Sequence, residues 1–251
     1  MPRRSDPPTP RLAPPQSRHH PQVQPRSQNP TPPTPGAHDR IITAALAEFA
    51  QQGFAGARVD RISRKARLNK AMLYYYFGSK ARLYRAAIQR VLLGLVDRLE
   101  AAADGAGPAD AKLDRFIETF VSLGLAEPSV APIMLREVVE GARHLDKDTF
   151  LLLSRVVGIM TAIVRQGQRE GVFRDVDPLL TYLTTAWPIV VYLASGPIRA
   201  SISHYTGLET NLLEPRHFVR HMQEMSRQAL AVHPAPAAAP SAANRHTERS
   251  S

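Results

Sequence analysis

Apolar residues recur at helical spacing through most of this chain, and that period constrains its fold more than any other feature. Ile41, Ile42, Ala45, Leu46 and Phe49 form one stripe, with Asp39 placed to cap it and Gly53 to end it. Ser79 precedes a longer stripe through Leu83, Ala87, Val91, Leu92 and Leu95. Lys112, Phe116, Phe120 and Leu123 fall on a further helix, and two more helical patterns cover residues 128–141 and 150–171. Pro178 and Pro215 suit the first turns of two more helices. Convincing strand alternation is absent. The expected class is all-α, with about nine helices.

The formal charge of +10 is unevenly spread. Residues 1–36 hold 12 of the 22 prolines and a net of +4, with almost no apolar periodicity to offset the entropy of ordering. A disordered Pro/Arg-rich tail is expected there, and Pro7-x-x-Pro10, repeated at Pro30/Pro33 and Pro32/Pro35, can form short polyproline stretches. Arg3-Arg4 starts like a twin-arginine signal, but no apolar stretch follows, so export is not expected. Residues 37–85 carry ten Lys/Arg against Asp39, Glu48 and Asp60, a net of +7. Residues 86–231 have a net of −2, and the Ala/Pro/Ser-rich residues 232–251, also expected to be disordered, +1. A small anion-binding module joined to a near-neutral domain follows. The absence of cysteine excludes a disulfide scaffold, a Cys-based zinc site and a cysteine nucleophile, and it suits a reduced cytoplasm. Residues 178–198 are uncharged and long enough to span a bilayer. Thr181, Thr184, Thr185, Pro188, Ser195, Gly196 and Pro197 interrupt them, and a buried helix is expected instead of a membrane span.

The informative stretch is V-D-R-I-S-R-K-A-R-L-N-K-A-M-L-Y-Y-Y-F-G-S-K, residues 59–80. It fits a short helix over residues 59–66, a turn, and a second short helix capped by Asn69. At ~100° per residue, Lys70, Ala71, Tyr74 and Tyr75 share one face, opposite Met72, Leu73 and Tyr76, with Phe77 at the boundary. A helix with one apolar face and one face of a cation, a methyl and two phenols suits a DNA major groove. Lys70 can reach guanine O6/N7 or a phosphate, Ala71 permits close approach to a thymine methyl, and the tyrosines can donate to phosphates. Three consecutive tyrosines point in three directions, so they cannot all enter one apolar core.

Residues 40–85 resemble the TetR/AcrR family of transcriptional regulators. The resemblance rests on Ile42-x-x-Ala45-x-x-x-Phe49, then Gly53-Phe54-x-Gly56, then Leu73-Tyr74-Tyr75-Tyr76-Phe77-x-Ser79-Lys80-x-x-Leu83. G-V-F-R-D-V-D-P, residues 171–178, looks like the loop before that family's penultimate helix. The resemblance implies an N-terminal three-helix helix–turn–helix DNA-binding domain (37–85) and a C-terminal helical ligand-binding and dimerisation domain (86–231). It implies base contacts for Lys70 and Ala71, phosphate and methyl contacts for Tyr74, Tyr75 and Tyr76, and a phosphate contact for Lys80. Two positions depart from the pattern. Ala57 stands where Thr or Ser usually caps the second helix and touches a phosphate; Arg58 can restore the contact but not the cap. Arg67 stands at a turn position usually held by Gly, where a left-handed backbone costs about 1 kcal/mol or more. Arg26 and Arg40 are candidates for minor-groove insertion.

Residues 86–231 contain no catalytic signature, so an enzyme is not expected, and no cofactor or metal is called for. His217 and His221 are four apart, which reads as a partly exposed helix face rather than a metal pair. Arg136 and Glu140 read as a solvated surface pair. Leu183, Trp187, Val190 and Val191, with Phe218, Met222, Met225 and Ala229, fit the family's four-helix dimer contact or an ordinary core. The family also implies an effector pocket, whose natural lining is Phe120, Met134, Val138, Met160, Ile163, Trp187 and Tyr192. The expected partners are a double-stranded DNA operator, a second copy of the chain and an unidentified small molecule, with no membrane.

Overall fold

The computed structural model describes residues 36–208 and 214–232. The two expected tails, residues 1–36 and 232–251, lie outside these apart from Gly36 and Val232, and so does Arg26. Ten helices occupy the described residues: α1 (Ala37–Gly56), α2 (Val59–Lys65), α3 (Lys70–Phe77), α4 (Lys80–Asp104), α5 (Ala109–Ala126), α6 (Val130–Val139), α7 (Lys147–Arg169), α8 (Pro178–Ala194), α9 (Gly196–Thr206) and α10 (Pro215–Leu230).

Local chemistry sets several of the boundaries. Asn69, Ser79, Asp146 and Asp177 each accept a backbone N–H of the helix that follows. Pro178 and Pro215 occupy first turns. Gly53, at φ 66°, kinks α1 where its apolar stripe ends. Asp39 lies inside the first turn of α1 rather than at its cap, because the helix already begins at Ala37.

The apolar stripes bury into two cores. In the first, Phe49, Ile62, Leu73, Leu83 and Ile88 pack together, and α6 adds Ile133. In the second, Val96, Leu99, Phe116, Ile117, Met160, Ile163 and Ile189 meet, with Met222 and Leu230 from α10. Each such side chain stabilises the fold by roughly 1.5–3 kcal/mol. Helix α4 belongs to both cores, through Leu83–Leu92 at one end and Val96 and Leu99 at the other. It is therefore the rigid element that runs from one to the other.

The tenth helix comes from residues 178–198, which do not form one helix. The backbone breaks at Ser195, and α8 and α9 meet at a bend of 59°. Pro197 has no N–H to continue α8, and Arg199 turns back to donate to the Tyr192 carbonyl and to Ser195 Oγ. Among the described residues no single helix is long and apolar enough to cross a membrane. Residues 171–178 accordingly precede α8, the third helix from the end, and not the penultimate one. That loop is pinned to the end of α10 by Arg174, whose N–H donates to the Leu230 carbonyl at 2.8 Å.

Candidate nucleic-acid interface

Helix α3 presents the face that its sequence predicts. Lys70, Ala71, Tyr74 and Tyr75 are exposed, while Met72, Leu73 and Phe77 are buried and Tyr76 is half-buried. The stacking of Tyr75 edge-on to Tyr76, and of His38 against Phe77, fixes the cluster at the edge of the first core. Asn69 Oδ1 accepts the Met72 N–H at 2.8 Å, which holds the first turn of the helix.

The two lysines of the site are tethered. Lys70 Nζ lies 3.0 Å from Asp60 Oδ1, and that hydrogen bond and charge raise its pKa, so the lysine is fully cationic at neutral pH. A base or phosphate must compete with Asp60 for it. Lys80 Nζ donates to the Ala55 carbonyl at 3.2 Å and lies over the Phe54 ring, and partial burial lowers its pKa. Lys80 thus braces the last turn of α1 from the start of α4. Arg58 and Arg40 are exposed.

Both departures from the family pattern have visible consequences. Arg67 is left-handed, at φ 55°, so the strain expected at that turn is present. Ala57 is buried and offers no cap, and α2 begins after Arg58 without a side-chain cap of its own. Glu48 makes up part of the loss. It is 1% exposed, its Oε1 accepts the Arg58 N–H at 3.3 Å, and it pairs with Arg61 and Lys65. Sequence reasoning missed this group. The signal was a carboxylate on the apolar side of α1, four residues after Ala44.

The Arg136–Glu140 surface pair does not form. Arg136 reaches α1, where its Nη1 donates to the carbonyls of Phe49 and Ala50 at 3.0 and 2.7 Å. These carbonyls lie just before the kink at Gly53, and a cation is favoured at such a helix end. Glu140 pairs instead with Arg143. Next in sequence, the buried Glu137 accepts the Tyr84 hydroxyl at 2.6 Å, and His144 Nδ1 stands 2.9 Å from the same oxygen. Burial, then the Glu137 carboxylate, pushes the Tyr84 phenol well above its ordinary pKa, so it remains a donor. Adjacent residues of α6 therefore grip α1 and α4.

Behind α6 lies a cavity of about 390 Å³, walled by α4, α5, α6, α7 and α8. Phe120, Met134, Val138 and Trp187 line it as expected. Met160, Ile163 and Tyr192 do not; the first two are packed in the second core, and Tyr192 stacks on Phe218 at 3.7 Å between ring centroids. The expected dimer residues also divide. Leu183, Trp187 and Val190 face the cavity, and Met222 and Phe218 are used within the chain's own core. Val191, Met225 and Ala229 are exposed, and Leu183 is partly so.

Residues 41–87 match the family of bacterial regulatory proteins called tetR, and residues 109–226 match the tetracyclin repressor-like C-terminal domain. The HTH-type transcriptional repressor SCO4008 of Streptomyces coelicolor is 33% identical over 158 residues, covering 61% of this chain and 78% of that protein. The chain belongs to the TetR family. Its membership makes it a helix–turn–helix transcriptional regulator. The repressor NicS of Pseudomonas putida is 32% identical over 141 residues, 55% of this chain and 66% of NicS. A tetR-family regulatory protein from Rhodococcus RHA1 shares the fold, with a TM-score of 0.64 at 18% identity over 80% of this chain and all of that one.

Proposed function

We propose that the chain is a dimeric repressor that reads a palindromic operator with two copies of α3 and is released when a small molecule fills the cavity behind α6. In this reading, residues 37–85 bind DNA, residues 86–231 hold the effector and the partner subunit, and the two tails add at most electrostatic affinity. The observation that carries it is the division of α3 into a buried apolar face and an exposed face of Lys70, Ala71, Tyr74 and Tyr75. Arg58 and Lys80 flank that face for phosphates. The repressors among the relatives support the polarity.

A second copy fits the outer faces of α8 and α10. Leu180, Thr184 and Pro188 of α8 and Met225 and Ala229 of α10 line a groove of about 630 Å³ between the two helices. Two reading helices ~34 Å apart, or a variant of that spacing, are what a palindrome requires. Release follows when an occupant favours a spacing that misfits the operator. Helix α4 and the Arg136 and Glu137 grips are the connection between cavity and reading helix.

Selection of bound fragments from random DNA tests the reading. Two inverted half-sites are expected. Binding with a steep salt dependence and no sequence preference would overturn it in favour of an architectural DNA binder.

A further inference from the structure

The cavity is chemically one-sided. Its wall is almost wholly aliphatic and aromatic, and among the described residues Glu127 and Glu137 are the only charged side chains in it. Among the described residues no lysine, arginine or histidine lines it. Glu127 is exposed, at the end of α5, whereas Glu137 is 2% exposed. The Glu137 carboxylate meets a phenol and an imidazole, and among the described residues no lysine or arginine pairs with it. The nearest arginines in sequence are spent elsewhere, Arg136 on α1 and Arg143 on Glu140. Phe120, Phe150 and Trp187 add aromatic rings to the same wall.

We propose that this cavity selects a lipophilic organic cation, a largely apolar molecule carrying one protonated amine or other onium group. The inference rests on the reading of the cavity as the effector site and names the class of effector. Apolar walls draw the body of such a molecule out of water. The carboxylates offset the loss of hydration of its charge, and the ring faces attract the cation further. An anion of the same shape would be desolvated against two carboxylates, while His144, the basic side chain at Glu137, does not line the cavity. A cation at Glu137 also competes with Tyr84 and His144, whose rings pack on Phe54 of the first core. Occupancy is thereby felt in the reading module.

Tetraphenylphosphonium and tetraphenylborate have the same shape and opposite charge. Trp187 is the only tryptophan and lines the cavity, so its emission follows occupancy in the full chain without DNA. The phosphonium is expected to bind at least about tenfold more tightly than the borate. Glu137→Gln is expected to abolish most of that preference, and Glu127→Gln to reduce it by about twofold to threefold. Equal or tighter binding of the borate, binding of neither ion, or a preference unchanged in both variants would overturn the proposal. Should Glu137→Gln fail to fold, the wild-type pair and Glu127→Gln decide alone. Phosphonium binding that leaves operator DNA bound would uphold the cation preference and count against the release mechanism.

Discussion

Lys70 shows how one side chain can be poised and restrained at once. Its ammonium group is aimed outward from the first turn of α3, yet Asp60 of α2 holds it at 3.0 Å. Lys70→Ala is expected to weaken specific operator binding by about 1–3 kcal/mol, with loss of discrimination at one base pair of each half-site. Asp60→Asn is expected to strengthen binding, because the competing carboxylate is gone; gel shifts across a salt series measure both. Arg67 offers a test of opposite sign. Its left-handed backbone is strained, so Arg67→Gly is expected to stabilise the protein by up to about 1 kcal/mol in urea unfolding. A loss of stability would show that the Arg67 side chain makes a contact worth more than the strain.

At the scale of elements, two close approaches decide how helices meet. Arg136 joins α6 to α1 just before its kink, and Arg136→Ala is expected to cost about 1–2 kcal/mol, read as a lower thermal midpoint. An unchanged midpoint would reduce this contact to a surface pairing. Gly167 of α7 gives way to the Phe173 ring: a Cβ there would stand 2.1 Å from Phe173 Cδ2. Gly167→Ala is expected to destabilise by about 1–3 kcal/mol through overpacking and to loosen the loop that leads into α8. Helix ends were largely legible from the sequence. Asn69, Ser79 and the two prolines act locally, within one turn of the backbone they cap or start. The α8–α9 break was not legible, because a run without charges looks the same whether it is straight or bent. Its position depends on Pro197 and on Arg199 folding back.

For the whole molecule, the proposed assembly gives the decisive test. Met225 is exposed on α10 and lines the groove between α8 and α10. Met225→Glu is expected to shift the chain toward monomer in sedimentation and to abolish tight operator binding while leaving the helical content unchanged. A dimer that persists would move the interface elsewhere. The same variant is expected to retain tetraphenylphosphonium binding, since Met225 does not line the cavity.

The sequence by itself determined the helical class, the charged reading module, the outward face of α3 and the strained turn at Arg67. All of these follow from period, local charge and backbone preference, which act over a few residues. Only the tertiary structure decided what the apolar residues of α8 and α10 are used for. Trp187 and Val190 face a cavity, Met222 a core and Met225 solvent, yet all share the same helical spacing. It likewise decided the partners of Glu48, Arg136 and Glu137. Those groups are satisfied across many residues of sequence, by carbonyls and side chains that only folding brings within hydrogen-bond reach.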